Sequence, residues 1–281
     1  MERSSKVSLT IGTAGKVFSA EPGRWQALPK PKTIVWEQNT KEGCCFKNQG
    51  SESLEVNTHR DSIAKLIDHT QLSPETKAEE ISILCREAKI FGFASVCVNP
   101  VYVSLASSLL KGSEVKVSTV VGFPLGATTT RVKIFEIEEA LANGADEIDA
   151  VMQVGALKSG ENQMVLDELV ALRKATEGKI LKIIIETGLL TTEEKIRASL
   201  LGKKAGADYI KTSTGFLKSG ATVEDIQLIR FSLGSQVGIK ASGGIKSREF
   251  AQELIRAGAT RIGTSASLNI INGQGAFKRA S

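Results

Sequence analysis

The 281-residue chain is poor in the groups that commonly bind metals or staple small folds. It has two histidines, His59 and His69, and four cysteines, Cys44, Cys45, Cys85 and Cys97. No CxxC pair and no ladder of cysteine spacings occurs, which disfavours a histidine-based zinc site and a secreted disulfide scaffold. A reduced, cytoplasmic protein without a metal is the expectation. Only 6 prolines are present, too few for a collagen-like or mucin-like chain. No apolar run approaches the ~18–20 residues of a membrane span. The net charge of +5 comes from 36 basic and 31 acidic residues. No basic run interleaves with aromatics, so neither nucleic acid nor a membrane is an expected partner.

What is present divides in two. Residues 1–58 lack sustained periodicity and scatter Ser, Lys, Gly and Pro. Their first twenty residues are basic and hold a single acid, Glu2. Two readings fit: an organelle transit peptide, or a mobile tail with a short element. Cys44 and Cys45 fall in this extension, where no function is expected of them.

Residues 59–281 alternate short β-branched runs with amphipathic stretches. The runs are Lys65–Asp68, Ser95–Val98, Lys116–Gly122, Glu147–Met152, Ile180–Glu186, Tyr209–Thr212, Val237–Ala241 and Thr260–Gly263. Helical patterns between them include 74–90, 128–142, 192–205, 222–232 and 247–257. Gly92, Gly144, Gly206 and Gly258 each sit where a helix must stop before a strand. Ser73-Pro74-Glu75, Thr191 and Thr222 carry helix-start signals. Strict alternation specifies a parallel sheet, and eight units in ~220 residues favour a closed (β/α)8 barrel, the TIM barrel. No strand leads into GxGxxG, which disfavours a dinucleotide site.

Strands covered on both sides should read almost continuously apolar. Several are interrupted by a charge, among them Asp149, Lys182, Lys211 and Lys240. Turned toward the helices, each would be buried unpaired at high cost. They are therefore expected to point into the barrel, near its C-terminal mouth. A structural ion-pair network would account for any one of them. Two lysines on adjacent strands favour a reactive site, because a second cation and burial lower a lysine pKa and free its amine. A free amine attacks carbonyls to form a Schiff base, and a nearby carboxylate can move the protons. Three small polar turns follow the last strands: Thr212-Ser213-Thr214-Gly215, Ser242-Gly243-Gly244 and Gly263-Thr264-Ser265. Such turns let main-chain N–H groups approach a phosphate. The combined reading is a Schiff-base enzyme for a phosphorylated carbonyl compound.

Longer motifs carry a resemblance. They are LIDHT at 66–70, FASVCVNP at 93–100, VGFPLG at 121–126, GADEID at 144–149, LKIIIET at 181–187, YIKTSTGF at 209–216, GIKASGGI at 238–245 and RIGTS at 261–265. In this order they are similar to the deoxyribose-phosphate aldolase family over residues 62–270. The resemblance implies reversible cleavage of 2-deoxy-D-ribose 5-phosphate to D-glyceraldehyde 3-phosphate and acetaldehyde, in deoxyribonucleoside catabolism, without a cofactor. It implies Lys211 as the Schiff-base nucleophile, Lys240 as the second lysine, and Asp149 as the carboxylate of the proton relay. Lys182 would line the site and support its charges. Asp68, Thr70 and Cys97 would line the pocket near the acetaldehyde or the substrate hydroxyls. Thr214, Gly215, Gly243, Gly244, Gly263 and Ser265 would bind substrate, the glycines and Ser265 at its phosphate. A homodimer is a further implication.

Several positions depart from the family pattern. Ala266 follows Ser265 where a second serine is common. Residues 216–220 are bulkier and more basic than the usual glycine-rich turn, with Lys218 either a phosphate contact or solvated. No C-terminal tyrosine exists, since the two tyrosines are Tyr102 and Tyr209. The last helix is expected to be short. A catalytically weakened phosphosugar-binding protein and an aldolase with another acceptor remain alternative readings. Cys97 on its own reads as a small core residue rather than a reactive thiol.

Overall fold

Eight short runs in which every second side chain is apolar can bury that face only by packing against helices. In the computed structural model they do so as a closed parallel barrel. The structure describes residues 63–217 and 219–272, together with six short strands between residues 7 and 55. The barrel strands are β1 (Ile67–Gln71), β2 (Ser95–Val98), β3 (Lys116–Val121), β4 (Glu147–Val151), β5 (Ile180–Ile184), β6 (Tyr209–Lys211), β7 (Gly238–Ser242) and β8 (Arg261–Thr264). Each pairs in parallel with the next, and β8 closes on β1 through Gly263 opposite Asp68. The helices are α1 (Ala78–Phe91), α2 (Val103–Leu110), α3 (Thr130–Ala142), α4 (Val154–Lys158), α5 (Asn162–Ala175), α6 (Thr192–Lys204), α7 (Val223–Leu233), α8 (Arg248–Ala257) and α9 (Ser267–Asn272).

The two-residue period separates two interiors. Ile67, Val96, Val117, Ile148, Ile183, Ile210, Ile239 and Ile262 pack outward into one apolar cluster with the helices. The alternate positions hold Asp68, Ser118, Asp149, Lys182, Lys211 and Lys240, all buried. Apolar burial between sheet and helices therefore stabilises the fold, and the lumen is free to be polar.

Local signals in the sequence place the elements. Gly92, Gly144, Gly206 and Gly258 all have positive φ at the ends of their helices. Thr191 and Thr222 accept from the main chain of Glu194 and Asp225, and Glu194 returns a bond to Thr191 N. The first helix begins later than expected, at Ala78, because Ser73–Thr76 closes a turn through Thr76 N to Ser73 O at 3.2 Å. Proline there sets a turn rather than a helical first residue. Strand β1 also starts two residues late, since Ala64–Leu66 form a 3-10 turn. That shift brings Thr70 into the strand.

The repeated Gly-Ala-Asp/Thr punctuation has a second use at the N-terminal end of the barrel. Asp146, Asp208 and Thr260 accept hydrogen bonds from Val117 N, Leu181 N and Ile239 N on the preceding strand. They tie strand starts together on the face opposite the mouth, which serves stability.

The chain divides into two compact units, Met1–His59 and Arg60–Ser281. In the first, Val7–Leu9, Ile34–Asn39, Gly43–Lys47 and Ser53–Glu55 form an antiparallel sheet, and Phe18–Glu21 pairs with Arg24–Ala27. These strands went unread in the sequence, and Cys44 and Cys45 lie on one of them. The expectations of mobility and of a transit peptide rest largely on residues outside the described ones. Among the described residues no helix is long and apolar enough to cross a membrane.

Candidate active site

Asp149 stands at the centre of the lumen and touches three lysines. Its Oδ1 receives Lys182 Nζ at 2.8 Å. Its Oδ2 is shared by Lys211 Nζ at 2.8 Å and Lys240 Nζ at 2.7 Å. Strand register explains the meeting: Asp149 lies opposite Lys182, and Lys211 opposite Lys240. Ser118 donates to Asp149 Oδ1 at 3.2 Å from β3.

A deeper layer completes the cluster. Asp68 Oδ2 lies 2.5 Å from Lys240 Nζ, and Asp68 Oδ1 takes Arg261 Nη1 at 2.6 Å. Glu147 Oε2 meets Lys182 Nζ at 2.6 Å and Arg261 Nη1 at 3.3 Å. The Arg261 guanidinium also sits over the Tyr209 ring, 5.3 Å from its centre. Three carboxylates (Asp68, Glu147, Asp149) thus face four cations (Lys182, Lys211, Lys240, Arg261). A buried cluster with one cation in excess is relieved by losing one proton.

The electrostatics say which group gives it up. Burial is the largest influence on Lys211 and pushes its pKa down; Asp149 opposes this, Lys240 reinforces it, and the net shift is downward. Burial pushes Lys240 down as well, but Asp149 and Asp68 together raise it above the usual lysine value. Lys182 is likewise raised, by Asp149 and then Glu147 and Asp68 against burial and Lys240. Burial alone would raise Asp149, yet Lys182, Lys211 and Lys240 hold it well below the usual carboxylate range. Lys211 is thus the lysine of the cluster whose pKa is lowered from the ordinary value.

Lys211 alone of the four cations also lines a cavity of about 310 Å³ at the C-terminal mouth. Thr70, Thr214, Gly215, Gly243, Gly244, Gly263 and Ser265, all expected around substrate, line the same cavity. Asp68, Lys182 and Cys97 are not among its lining residues, although Lys182 supports the charges of the site as expected. Asp68 and Lys182 are wholly buried beneath the cavity as members of the ion cluster, because their strand positions lie deeper than the mouth. Cys97 is wholly buried beside Leu72, Val120 and Phe123, and burial raises its thiol pKa.

Close backbone packing shapes the polar end of the cavity. Gly215, Gly243 and Gly244 have φ of 82°, 93° and 75°, conformations that a Cβ would strain. A Cβ on Gly243 would meet Ser213 Oγ at 2.6 Å and Gly220 Cα at 2.9 Å, so the close approach of the turns after β6 and β7 requires glycine there. Ala221 N donates to Gly243 O at 3.0 Å across the same contact. Gly263 makes room for two side chains: a Cβ there would collide with Ser242 Oγ and lie 2.8 Å from Lys240 Cε, beside the path of that lysine to Asp149. Ala266 N donates to Thr264 Oγ1 at 2.9 Å. The expectation about Lys218 falls outside the described residues.

Sequence reasoning missed Glu147, Arg261, Ser118 and Lys246. The first two were findable by the rule that singled out Asp149, since each is a charge inside a buried parallel strand. Lys246 lines the cavity from just beyond the double glycine. Nothing local distinguishes it from any other exposed lysine.

A barrel whose lumen gathers three lysines around one carboxylate, with Lys211 reaching a cavity of small polar turns, has the make-up of an aldolase site. Comparison with known proteins agrees with that assignment. The family model for DeoC/LacD family aldolases matches residues 62–273, and the chain belongs to this family. Deoxyribose-phosphate aldolase 1 of Bacillus licheniformis is 54% identical over 212 residues, covering 75% of this chain and 95% of the relative. A crystal structure assigned as a deoxyribose-phosphate aldolase of Coccidioides immitis superposes with a TM-score of 0.73 at 45% identity, covering 75% of this chain and 84% of that one. The tetrameric deoxyribose phosphate aldolase of Aeropyrum pernix superposes with a TM-score of 0.70 at 34% identity, covering 75% and 89%.

Proposed function

We propose that the protein is a deoxyribose-phosphate aldolase that cleaves 2-deoxy-D-ribose 5-phosphate to D-glyceraldehyde 3-phosphate and acetaldehyde. The observation that carries this reading is Asp149 Oδ2 shared between Lys211 and Lys240 at 2.8 and 2.7 Å. The neutral Lys211 amine attacks C1 of the open-chain sugar, and loss of water from the carbinolamine gives the protonated imine. A base removes the C3 hydroxyl proton, the C2–C3 bond breaks, and its electrons pass into an enamine on Lys211. Glyceraldehyde 3-phosphate leaves. Protonation at C2 and hydrolysis of the imine, which consumes the one water released earlier, free acetaldehyde and regenerate the amine.

Asp149 and Lys240 are the groups placed to relay these protons, with a water at the mouth as intermediary. The 5-phosphate is assigned to the glycine turns Gly215, Gly243–Gly244 and Gly263–Ser265, with Lys246 as the nearby cation. This follows from the common location of phosphate sites after the last strands of such barrels. The reading keeps a small-molecule phosphosugar as substrate, a homodimer and a cytoplasmic location. Light scattering on the purified protein separates a dimer from a tetramer.

Borohydride trapping in the presence of deoxyribose 5-phosphate, followed by peptide mapping, tests the assignment. A reduced adduct on Lys211, absent in Lys211→Ala, is expected. An adduct on Lys240 or Lys182 would overturn the nucleophile assignment. Binding without any adduct would favour a phosphosugar-binding protein.

A further inference from the structure

Glu186, just past the end of β5, is the one non-glycine among the described residues with positive φ, at 54°. A Cβ strains this left-handed conformation, which glycine adopts freely. The side chain is also buried, 2% exposed. Its Oε2 accepts from Thr214 N at 2.9 Å, while its Oε1 has no hydrogen-bond partner. Buried polar atoms without partners and strained backbone are both uncommon, and together they mark positions held for function rather than stability.

The neighbourhood shows what is held. Thr214 and Gly215 line the cavity three and four residues beyond Lys211. Leu189 N bonds back to Glu186 O, closing a turn in which a Cβ on Gly188 would collide with the Ser219 side chain. Glu186 and Gly188 thus clamp the turn after β6 from the β5 side. Ala221 N to Gly243 O clamps it from the β7 side. On the β5 side, the Glu186 carboxyl is the side chain that bonds the main chain of a cavity-lining residue.

We propose that Glu186 is a positioning residue that sets the Thr214–Phe216 turn through Thr214 N and so fixes the anion-binding end of the substrate site. The proposal rests on the aldolase reading for the identity of the substrate, but not for its test. Glu186 touches neither the Lys211 amine nor the ion cluster, so its loss acts on binding more than on the chemical step. The strained backbone has the same logic: glycine at this position would relax the chain but supply no acceptor.

The experiment uses the full-length chain with Glu186→Ala, Glu186→Gln and Glu186→Gly. KM and kcat are measured for deoxyribose 5-phosphate, and inorganic phosphate binding is followed by calorimetry. The Ala and Gly variants are expected to raise KM and the phosphate Kd by about ten-fold, with kcat changed less than about three-fold. Gln keeps an acceptor oxygen and is expected to restore both to within about three-fold. Gly removes the backbone strain, so it is expected to melt at or above the wild-type temperature while remaining as weak a binder as Ala. A fall in kcat with KM unchanged, Gln failing as badly as Ala, or phosphate affinity unaltered in Ala and Gly would each overturn the proposal. If the wild type binds phosphate but does not cleave the sugar, the aldolase reading fails, and the phosphate data still decide the role of Glu186.

Discussion

Two lysines buried in this barrel have opposite meanings. Lys133, on the face of α3 turned to the sheet, meets Glu168 at 2.8 Å and donates to Val151 O at 2.9 Å. One cation has one carboxylate and a carbonyl, and Glu168 further accepts from Gln153 N. Lys211, in the lumen, shares a single carboxylate oxygen with Lys240. Burial is common to both. The difference is the count of charges around each: the pair in the helix layer is matched, and the lumen cluster carries one cation too many. Lys211 is set apart by the second cation on its shared carboxylate, which together with burial lowers its pKa.

That comparison can be broken most severely at Lys211. Replacing it with Met is expected to lower kcat/KM on the order of a thousand-fold or more. The cluster would then hold three carboxylates and three cations, so the variant is expected to fold normally by circular dichroism. Lys240→Met should act less drastically and through pH. Without Lys240, Asp149 Oδ2 is left to Lys211, which is then held protonated. A rise of two pKa units would leave about a hundred-fold less free amine at neutral pH. The ascending, acid-side limb of the kcat/KM profile should move to higher pH. An unmoved limb would refute the charge-count argument.

Gly263→Ala comes next. Its methyl group crowds Lys240, so the same upward shift is expected at smaller size, about ten-fold in activity at neutral pH. Lys133→Met belongs at the other end of the comparison. It strands Glu168 and is expected to cost about 3–5 kcal/mol of stability, read from denaturant melts. Activity per folded molecule should stay near wild type, and Lys133→Met with Glu168→Met should recover much of the loss.

Acid tests the carboxylates. Lys182, Lys211 and Lys240 overcome burial to hold Asp149 well below its usual value, and Asp68 is lowered against burial by Lys240, Lys182 and Arg261. The unfolded chain therefore takes up protons first as pH falls. The stabilisation is complete above the unfolded carboxylate value of about 3.9 and is lost progressively below it. Lys240→Met should weaken this acid dependence, as measured by denaturant midpoints from pH 2 to 6.

Much of this architecture is legible in the sequence for a physical reason. A barrel strand buried on both faces tolerates a charge only in the lumen, so Asp149, Lys182, Lys211 and Lys240 announce their direction without any knowledge of contacts. Glycines at helix ends and threonine caps locate α6 and α7 to within a residue. Depth was harder to read. Asp68 was expected at the pocket wall, but register sets how far below the mouth a side chain lies, and register is a property of neighbouring strands. Ser73-Pro74-Glu75 carries the residues of a helix start, yet it forms a turn, and Tyr102 Oη donates to Thr76 O just beyond it. Lys133 looks like any helix-surface lysine, because its partner Glu168 is 35 residues away in sequence.

An unmatched cation in the lumen lowers the pKa of Lys211. The most direct measurement is the pH dependence of Schiff-base formation at Lys211 with acetaldehyde, trapped by borohydride and quantified by peptide mass, in the wild type and in Lys240→Met. A wild-type midpoint below the ordinary lysine value of about 10.4 and an upward shift in the variant are expected. A midpoint at or above that value, or no shift on removing Lys240, would contradict the role of the unmatched cation.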